Sequence, residues 1–504
     1  MSRYIRCERD DWCFLMEEAT GFVREVMYGR ARIAMAIYSA VRGVDWSTLP
    51  VVITQMQTGE AWCRWHSRVE AIPFEWTTEV AVDAEGFRMT LDGVAARTFA
   101  TCRTGLCVLH PLSVCGAPVT VRHVDGSEER SAFPELVAPH QPFLEVSGLR
   151  YVAPPGVEVE ITFEGEVFET EDQRNWSDAS FKTYCHRLGD GRPYTIEEGQ
   201  RVRQEVRIRC RAAEGQARAA APVQASVPQW SVLLDTDSVE HVQLLQAMGV
   251  QRVAVDDAHL LAVLARARMP VDWRVRIEEF GRIPPIAPPA PDSTLWVVCD
   301  VWSDPVNDTV QRGREKWESL GWQLGYSSSS NFAELNRSRP PQGVVDWLGT
   351  PASPQVHTFD AWSILQNAES FDSIGRTMAS FAGGARLCLG PLSFASRFSG
   401  EDARADSKLA AAYLLMALAH VGAGGFSRVI AGRASTMLNE TSEVGSIMRD
   451  LLGIRAHRVE VSRQDDRCSL QFTGVQGQSL YMPNLTPWEH EGLRPFSARR
   501  QENP

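Results

Sequence analysis

The chain changes its hydrophobic grammar twice. Val157, Val159, Ile161 and Phe163 alternate with Glu158, Glu160, Thr162 and Glu164, the period-two pattern of a strand with one buried face. Val202, Val206, Ile208 and Cys210 alternate with Arg203, Glu205, Arg207 and Arg209 in the same way. Asp92-Gly93, Asp125-Gly126 and Asp190-Gly191 read as turn signals between short strand-like runs. Residues 1–211 are therefore expected to form an antiparallel β-sandwich, and 212–228, which lack apolar periodicity, a linker.

From 229 to 440 strand-like and helix-length segments alternate. Buried-strand runs fall at 230–235, 251–256, 273–278, 295–300, 322–327, 344–348, 386–394 and 426–431. Helix-length segments fall at 238–248, 258–268, 306–320, 360–381 and 407–420, with Ser238 available as an N-cap. Eight strands predict a central (β/α)8 TIM-like barrel, incomplete where 281–292 is a proline-rich loop and 331–341 is too short for a helix. A helix at 443–452 and strands at 457–462, 469–473 and 479–482 predict a small C-terminal β-domain over 441–504.

Composition narrows the function. With 504 residues, 44% hydrophobic and 23% charged, the chain is a multidomain globular protein. Its net charge of −12 argues against a nucleic-acid backbone as partner. The longest apolar stretch, 409–421, contains His420 and falls short of the ~20 residues that span a bilayer, so no membrane partner is expected. Eleven cysteines show neither a CxxC pair nor zinc-ligand spacing. Reduced core thiols, a cytoplasmic location, no metal and no cofactor are the expectation, with a homo-oligomer left open. GxSxG, HExxH, P-loop and GxGxxG motifs are absent, which disfavours the usual serine hydrolases, zincins and nucleotide enzymes.

Barrel enzymes place their chemistry at the C-terminal ends of strands. Four successive strand runs end in carboxylates there: Asp235 with Asp237, Asp256 with Asp257, Glu278 with Glu279, and Asp300. Aspartate in that position is also the usual helix N-cap. Three polar clusters stand out further. Glu171, Asp172, Arg174, Asn175, Asp178 and Lys182 surround Trp176, a mixture suited to sugar hydroxyls and a ring face, and expected to pack against the barrel or line its mouth. Glu334, Asn336 and Arg337 follow the fifth strand run, and His357 with Asp360 follows the sixth.

These segments resemble the D-apionate lactonase family. The resemblance rests on residues 37–50 (IYSAVRGVDWSTLP), 104–111 (TGLCVLHP), 139–143 (PHQPF), 171–184 (EDQRNWSDASFKTY), 331–337 (NFAELNR) and 355–360 (QVHTFD). It implies an N-terminal β-domain, a TIM barrel, a C-terminal β-domain and hydrolysis of a branched aldonolactone in apiose catabolism. The chain departs from the family pattern at Gln366, at Phe394 ahead of Arg397-Phe398, and in the last barrel strand, where 426–432 (FSRVIAG) lacks an acid. The barrel is also shorter than the family's.

Lactone opening needs a base for water and donors for the oxyanion. Glu334 is the expected acid/base, with His357 assisting and Asp360 beside it. Glu171, Asp172, Arg174, Asn175, Asp178, Lys182, Asn336, Arg337, Asp235 and Asp300 are the expected contacts to a small carbohydrate or sugar lactone. Two carboxylates at one barrel mouth also suit a glycoside hydrolase. The altered last strand suits a catalytically silent homologue that binds sugar or protein.

Overall fold

The computed structural model describes residues 3–212, 223–395, 402–464, 467–485 and 497–501. Residues 213–222 of the expected linker, and Arg397 with Phe398, lie outside the described residues. One compact unit comprises 1–173 and 180–220, the other 174–179 and 221–504.

In the first unit, sixteen antiparallel strands form one continuous hydrogen-bonded sheet. Its apolar faces meet in a single core that includes Phe14, Ile37, Trp65, Trp76, Phe87, Leu106, Ile161 and Phe181. The alternation in the two charged runs is realised as pairing: Val157–Glu164 lies against Arg201–Ala212, with Val159 opposite Cys210 and Ile161 opposite Ile208. Asp125-Gly126 turns a hairpin, with Gly126 at a φ of 84°. Asp92-Gly93 instead lies inside the strand Gly86–Ala95. The glycine serves packing there, since a Cβ would come within 2.6 Å of Phe74 and Trp76.

The other face of the strands Ala31–Arg42, Arg103–Pro111 and Ser180–Cys185 buries charge. Arg103 lies 3.6 Å over the Tyr184 ring, and the Tyr184 hydroxyl donates to Glu169 Oε1 at 2.6 Å. Lys182 sits opposite Glu171 in register, is fully buried, and its Nζ has no hydrogen-bond partner among the described residues. Burial pushes its ammonium down to about 8.

In the second unit, eight parallel strands close a barrel: Gln229–Leu233, Val253–Val255, Val271–Arg276, Thr294–Val298, Gln323–Ser327, Trp347–Ala352, Arg386–Leu392 and Arg428–Arg433. A helix follows every strand, including the two positions expected to lack one. Ile277–Phe280 and Phe332–Arg337 are single turns, too short to show as periodic patterns. The segment expected as one helix over 360–381 is two, Ala361–Asn367 and Ser370–Phe381. Ser238 caps its helix by accepting from His241 N.

Trp296, Trp347, Val298, Ala254, Cys388 and Ile430 fill the barrel. Gly325 and Gly349 make room for the Trp296 indole, which a Cβ would meet at 2.5 and 2.8 Å. Below them Asp272, fully buried, pairs with Arg428 and accepts from Trp296 Nε1 at 2.9 Å. Arg428 also donates to Thr294 Oγ1 at 3.0 Å and lies 3.8 Å over the Trp347 ring. Arg252 stands 3.6 Å from the same carboxylate.

Part of the expected linker is structured: Val223–Ser226 pairs with Ala456–Gln464 and forms the edge of a five-stranded antiparallel C-terminal sheet. Strand backbone must find partners, and these residues find theirs more than two hundred positions downstream. That sheet belongs to the same compact unit as the barrel. Helix Lys408–Ala423 packs between them and is buried around its circumference, which accounts for its apolar run. Among the described residues no helix is long and apolar enough to cross a membrane.

Two outcomes follow from the buried charges. Arg428→Met removes the nearest cation from the buried Asp272 carboxylate and should cost about 3 kcal/mol in urea denaturation, with Asp272→Asn in the same chain recovering part of the loss. Lys182 binds its proton less tightly folded than unfolded, so the native state gains stability as pH rises from about 8 toward the unfolded lysine range. Plotted against pH, the stability of the wild type relative to Lys182→Met should climb through that window. A flat difference would mean the lysine is not held as a buried cation.

Candidate active site

Two polar clusters involve segments that leave the C-terminal ends of the fourth, fifth and sixth barrel strands, the second together with residues 174–179. The first joins Asp300 to Glu334. Asp300 Oδ1 accepts from the Ser329 hydroxyl and from Ser329 N at 3.2 Å, and the next residue, Ser330, donates to Glu334 Oε1 at 3.1 Å. Glu334 stands in the single-turn helix Phe332–Arg337, whose cap residue Asn331 makes no side-chain capping bond. Asn331 Nδ2 and Glu334 Oε2 are both buried and have no hydrogen-bond partner among the described residues. A buried donor and acceptor left open in one turn are costly unless a ligand meets them. Burial, then the neighbouring Cys299, and after it the Asp300 and Glu334 charges push the Tyr326 phenol far up, so it keeps its proton.

The second cluster is built on residues 174–179. His357 Nδ1 meets Asp178 Oδ2, and Asp178 Oδ1 accepts from Asn367 Nδ2 at 3.0 Å. Asn367 also donates to Pro354 O at 2.8 Å and accepts from Ala179 N at 3.1 Å, so one amide ties the Asp178 segment to the loop that leads to His357. Ser370 Oγ adds a bond to Ser177 O at 3.1 Å. Ser177 holds a left-handed φ of 66°, a conformation that persists only where its surroundings enforce it. Trp176 presents an edge contact to His357, with ring centroids 6.0 Å apart, and lies under the Arg337 guanidinium at 5.4 Å. Asn336 Nδ2 donates to Asn175 Oδ1 at 3.0 Å, while Arg339 holds the other end of Asn336 at 2.7 Å. Asn175, Trp176, Asp178, Asn336, Arg337 and His357 thus form one network.

The other expected residues fall elsewhere. Asp360 caps helix Ala361–Asn367 by accepting from Ser363 N at 2.8 Å. Asp235 likewise accepts from Ser435 N at 2.9 Å, within the single turn Ala434–Leu438. Arg174 belongs with the second unit and is fully buried. Glu171, Asp172 and Lys182 belong with the first unit, where Glu171 accepts from Gln173 Nε2 at 2.7 Å and Asp172 from Ala138 N at 2.9 Å. Asp256 pairs with Arg274 at 3.5 Å, and Glu278 and Glu279 lie in the single turn Ile277–Phe280. In the last strand, Ile430 occupies the barrel core. Sequence reasoning missed Asn331 and Asn367 as site residues. Asn331 heads the 331–337 cluster but carries no assigned role there, and nothing local marks Asn367; their importance arises from partners or vacancies created by the fold.

Among the described residues no set of three or more His, Cys, Asp or Glu side chains is placed to hold a metal ion. The arrangement offers an imidazole oriented by a carboxylate, an unpaired carboxylate oxygen, an unpaired amide donor and an exposed guanidinium. Those groups suit proton transfer to and from water and the binding of hydroxyls.

Comparison with known proteins bears on this architecture. The model of the D-apionate lactonase N-terminal domain matches residues 4–213, and that of the D-apionate lactonase TIM barrel domain matches residues 302–439. A D-apionate lactonase from Brucella anthropi is 29% identical over an alignment spanning 74% of this chain and 70% of its own length. Among solved structures, a putative aldose 1-epimerase from Escherichia coli is 9% identical with a TM-score of 0.32, covering 42% of this chain and all of its own. A GH36 α-galactosidase from Geobacillus stearothermophilus is 10% identical with a TM-score of 0.29, covering 95% of this chain and 92% of its own. With both lactonase domain models matched in order and the Brucella relative aligned across most of its length, the chain belongs to the D-apionate lactonase family.

Proposed function

We propose that this protein hydrolyses a sugar lactone, with a branched aldonolactone of the D-apionate type as the substrate and apiose catabolism as the setting. The observation that carries the reading is the Asp178–His357 pair, locked by Asn367 at the barrel rim. With Nδ1–H given to Asp178, the neutral ring carries its basic lone pair on Nε2, and the carboxylate stabilises the imidazolium that forms. His357 takes a proton from water as the water oxygen bonds to the lactone carbonyl carbon. When the tetrahedral intermediate collapses, the bond to the ring oxygen breaks and the proton passes to that oxygen. Glu334 Oε2 and Asn331 Nδ2 supply an acceptor and a donor for sugar hydroxyls or the carbonyl oxygen, and Arg337 supplies a cation for the oxyanion.

This assignment moves the general base from Glu334, where the sequence pattern placed it, to His357. In the same reading the barrel is of the TIM type, residues 1–211 fold as a sandwich, and the protein works in the cytoplasm. The glycoside-hydrolase alternative draws on Asp300 and Glu334, whose charges both bear on Tyr326.

Kinetics separate the readings. Asp178→Asn should lower kcat for aldonolactone hydrolysis about 10²-fold or more with little change in KM, since it removes orientation and charge from the base. Glu334→Gln should raise KM more than it lowers kcat, because Gln keeps the shape but loses the acceptor charge. Hydrolysis unchanged by Asp178→Asn would remove His357 as the base. Cleavage of aryl glycosides without cleavage of aldonolactones would replace the reading with the carboxylate-pair one.

A further inference from the structure

A cavity of about 430 Å³ opens at the C-terminal ends of the first, seventh and eighth barrel strands, lined by none of the residues of the two clusters described above. Its volume lies within the usual range for small-molecule sites. Phe394 and Tyr413 form an aromatic wall, their rings edge to face with centroids 6.1 Å apart. Asp235, Asp402 and Arg433 supply charge around it.

The state of these groups decides what the cavity would accept. Asp235 is engaged by Ser435, and Asp402 by Arg404 N and Nε at 2.8 and 3.0 Å and by Gln355 Nε2 at 2.9 Å. Arg404 beside it, with burial opposing, holds the Asp402 carboxyl down at about 2, so it is ionised and paired at neutral pH. Arg433 is exposed and makes no ion pair or hydrogen bond among the described residues. Tyr413 is 2% exposed, and its hydroxyl is buried without a hydrogen-bond partner there. The cavity therefore holds two carboxylates already bound, one cation not bound, and one hydroxyl with nothing to bond.

We propose that this cavity binds a small polyhydroxy carboxylate, an open-chain aldonate, with Arg433 gripping the carboxylate and the Tyr413 hydroxyl bonding a sugar hydroxyl. The ligand class rests on the lactonase reading: adding water across the acyl–oxygen bond of a neutral lactone releases one carboxylate and one proton at neutral pH. The cavity is tied to the catalytic loop in the fold itself. Asp402 and Arg404 bind Gln355, two residues before His357, so the wall of the cavity and the loop of the imidazole share one hydrogen-bond network. A product anion formed at His357 thus has a pocket with an open guanidinium, linked to the same loop, to occupy.

Direct binding tests this without turnover. Calorimetry and thermal melting of the full-length protein with D-ribonate, and with neutral ribitol as control, give the readout. The wild type should bind ribonate more tightly than ribitol. Arg433→Gln should weaken ribonate at least tenfold and leave ribitol unchanged, the surface position making a folding defect no concern. Tyr413→Phe should weaken ribonate several-fold without lowering the melting temperature of the free protein, because the hydroxyl has no partner to lose. Equal affinity for ribonate and ribitol, ribonate binding unchanged in Arg433→Gln, or no ribonate binding by the wild type would each overturn the proposal. Its failure differs from that of the catalytic reading. Arg433-dependent binding in a protein that hydrolyses no lactone sinks the catalysis alone, and hydrolysis with Arg433-independent binding sinks the pocket alone.

Discussion

The barrel is organised by one buried carboxylate. Asp272, on the third strand, meets Arg428 at the start of the eighth, Trp296 on the fourth and Arg252 just ahead of the second, and Arg428 lies over Trp347 on the sixth. An isolated carboxylate in such surroundings would be very costly, so its partners must converge, and their convergence fixes the register in which the strands close. The cations and aromatic rings then stack upward from it. Trp296 and Trp347 fill the barrel so completely that two neighbouring strands carry glycine where the indole passes.

A solid interior dictates where chemistry can occur. Apolar side chains pack the middle of the barrel, and the residue contributed by the last strand is Ile430. Reactive groups are confined to the rim, on segments following the strands. Rim acids then divide by what they bond. Asp235 and Asp360 spend bonds on the first turns of helices, the ordinary use of aspartate in that place. Asp178 and Glu334 do not: one orients an imidazole, and the other keeps a buried oxygen open.

That division explains what could be read from the sequence. Strand runs such as 295–300 and 322–327 announce themselves through continuous apolar residues, and the observed strands Thr294–Val298 and Gln323–Ser327 fall on them. Glu334 and His357 were legible as candidates because polar residues after a barrel strand are few and distinctive. The pairing of Asp178 with His357 was not, since 179 residues separate them, and the sequence placed Asp178 in a sugar-gripping loop. Asn367 lay hidden for the same reason, 189 residues from the carboxylate it holds. Asp360 was read as catalytic for its closeness to His357 along the chain, yet chain proximity placed it at a helix start. Single-turn helices escaped because one turn carries too few positions to show a period. Arg433 was not legible because an arginine at the end of a strand run is an ordinary solvated residue until the fold sets it beside a cavity.

The charge at the end of the eighth strand fits a reaction that creates an anion. A lactone enters neutral and leaves as a carboxylate, so a negative group deep in the eighth strand would repel the product from the space above it. Ile430 avoids that, and Arg433, three residues further along the strand, adds a cation. An arginine buried with a partnered carboxylate would bind so tightly that release of product would limit turnover. Arg433 is instead exposed, where solvent and salt screen its attraction to a level near that of a surface pair. The same exposure lets it recognise the anion and let it go. A weak grip on the product also leaves the neutral substrate unaffected, since a lactone carries no charge for the guanidinium to find.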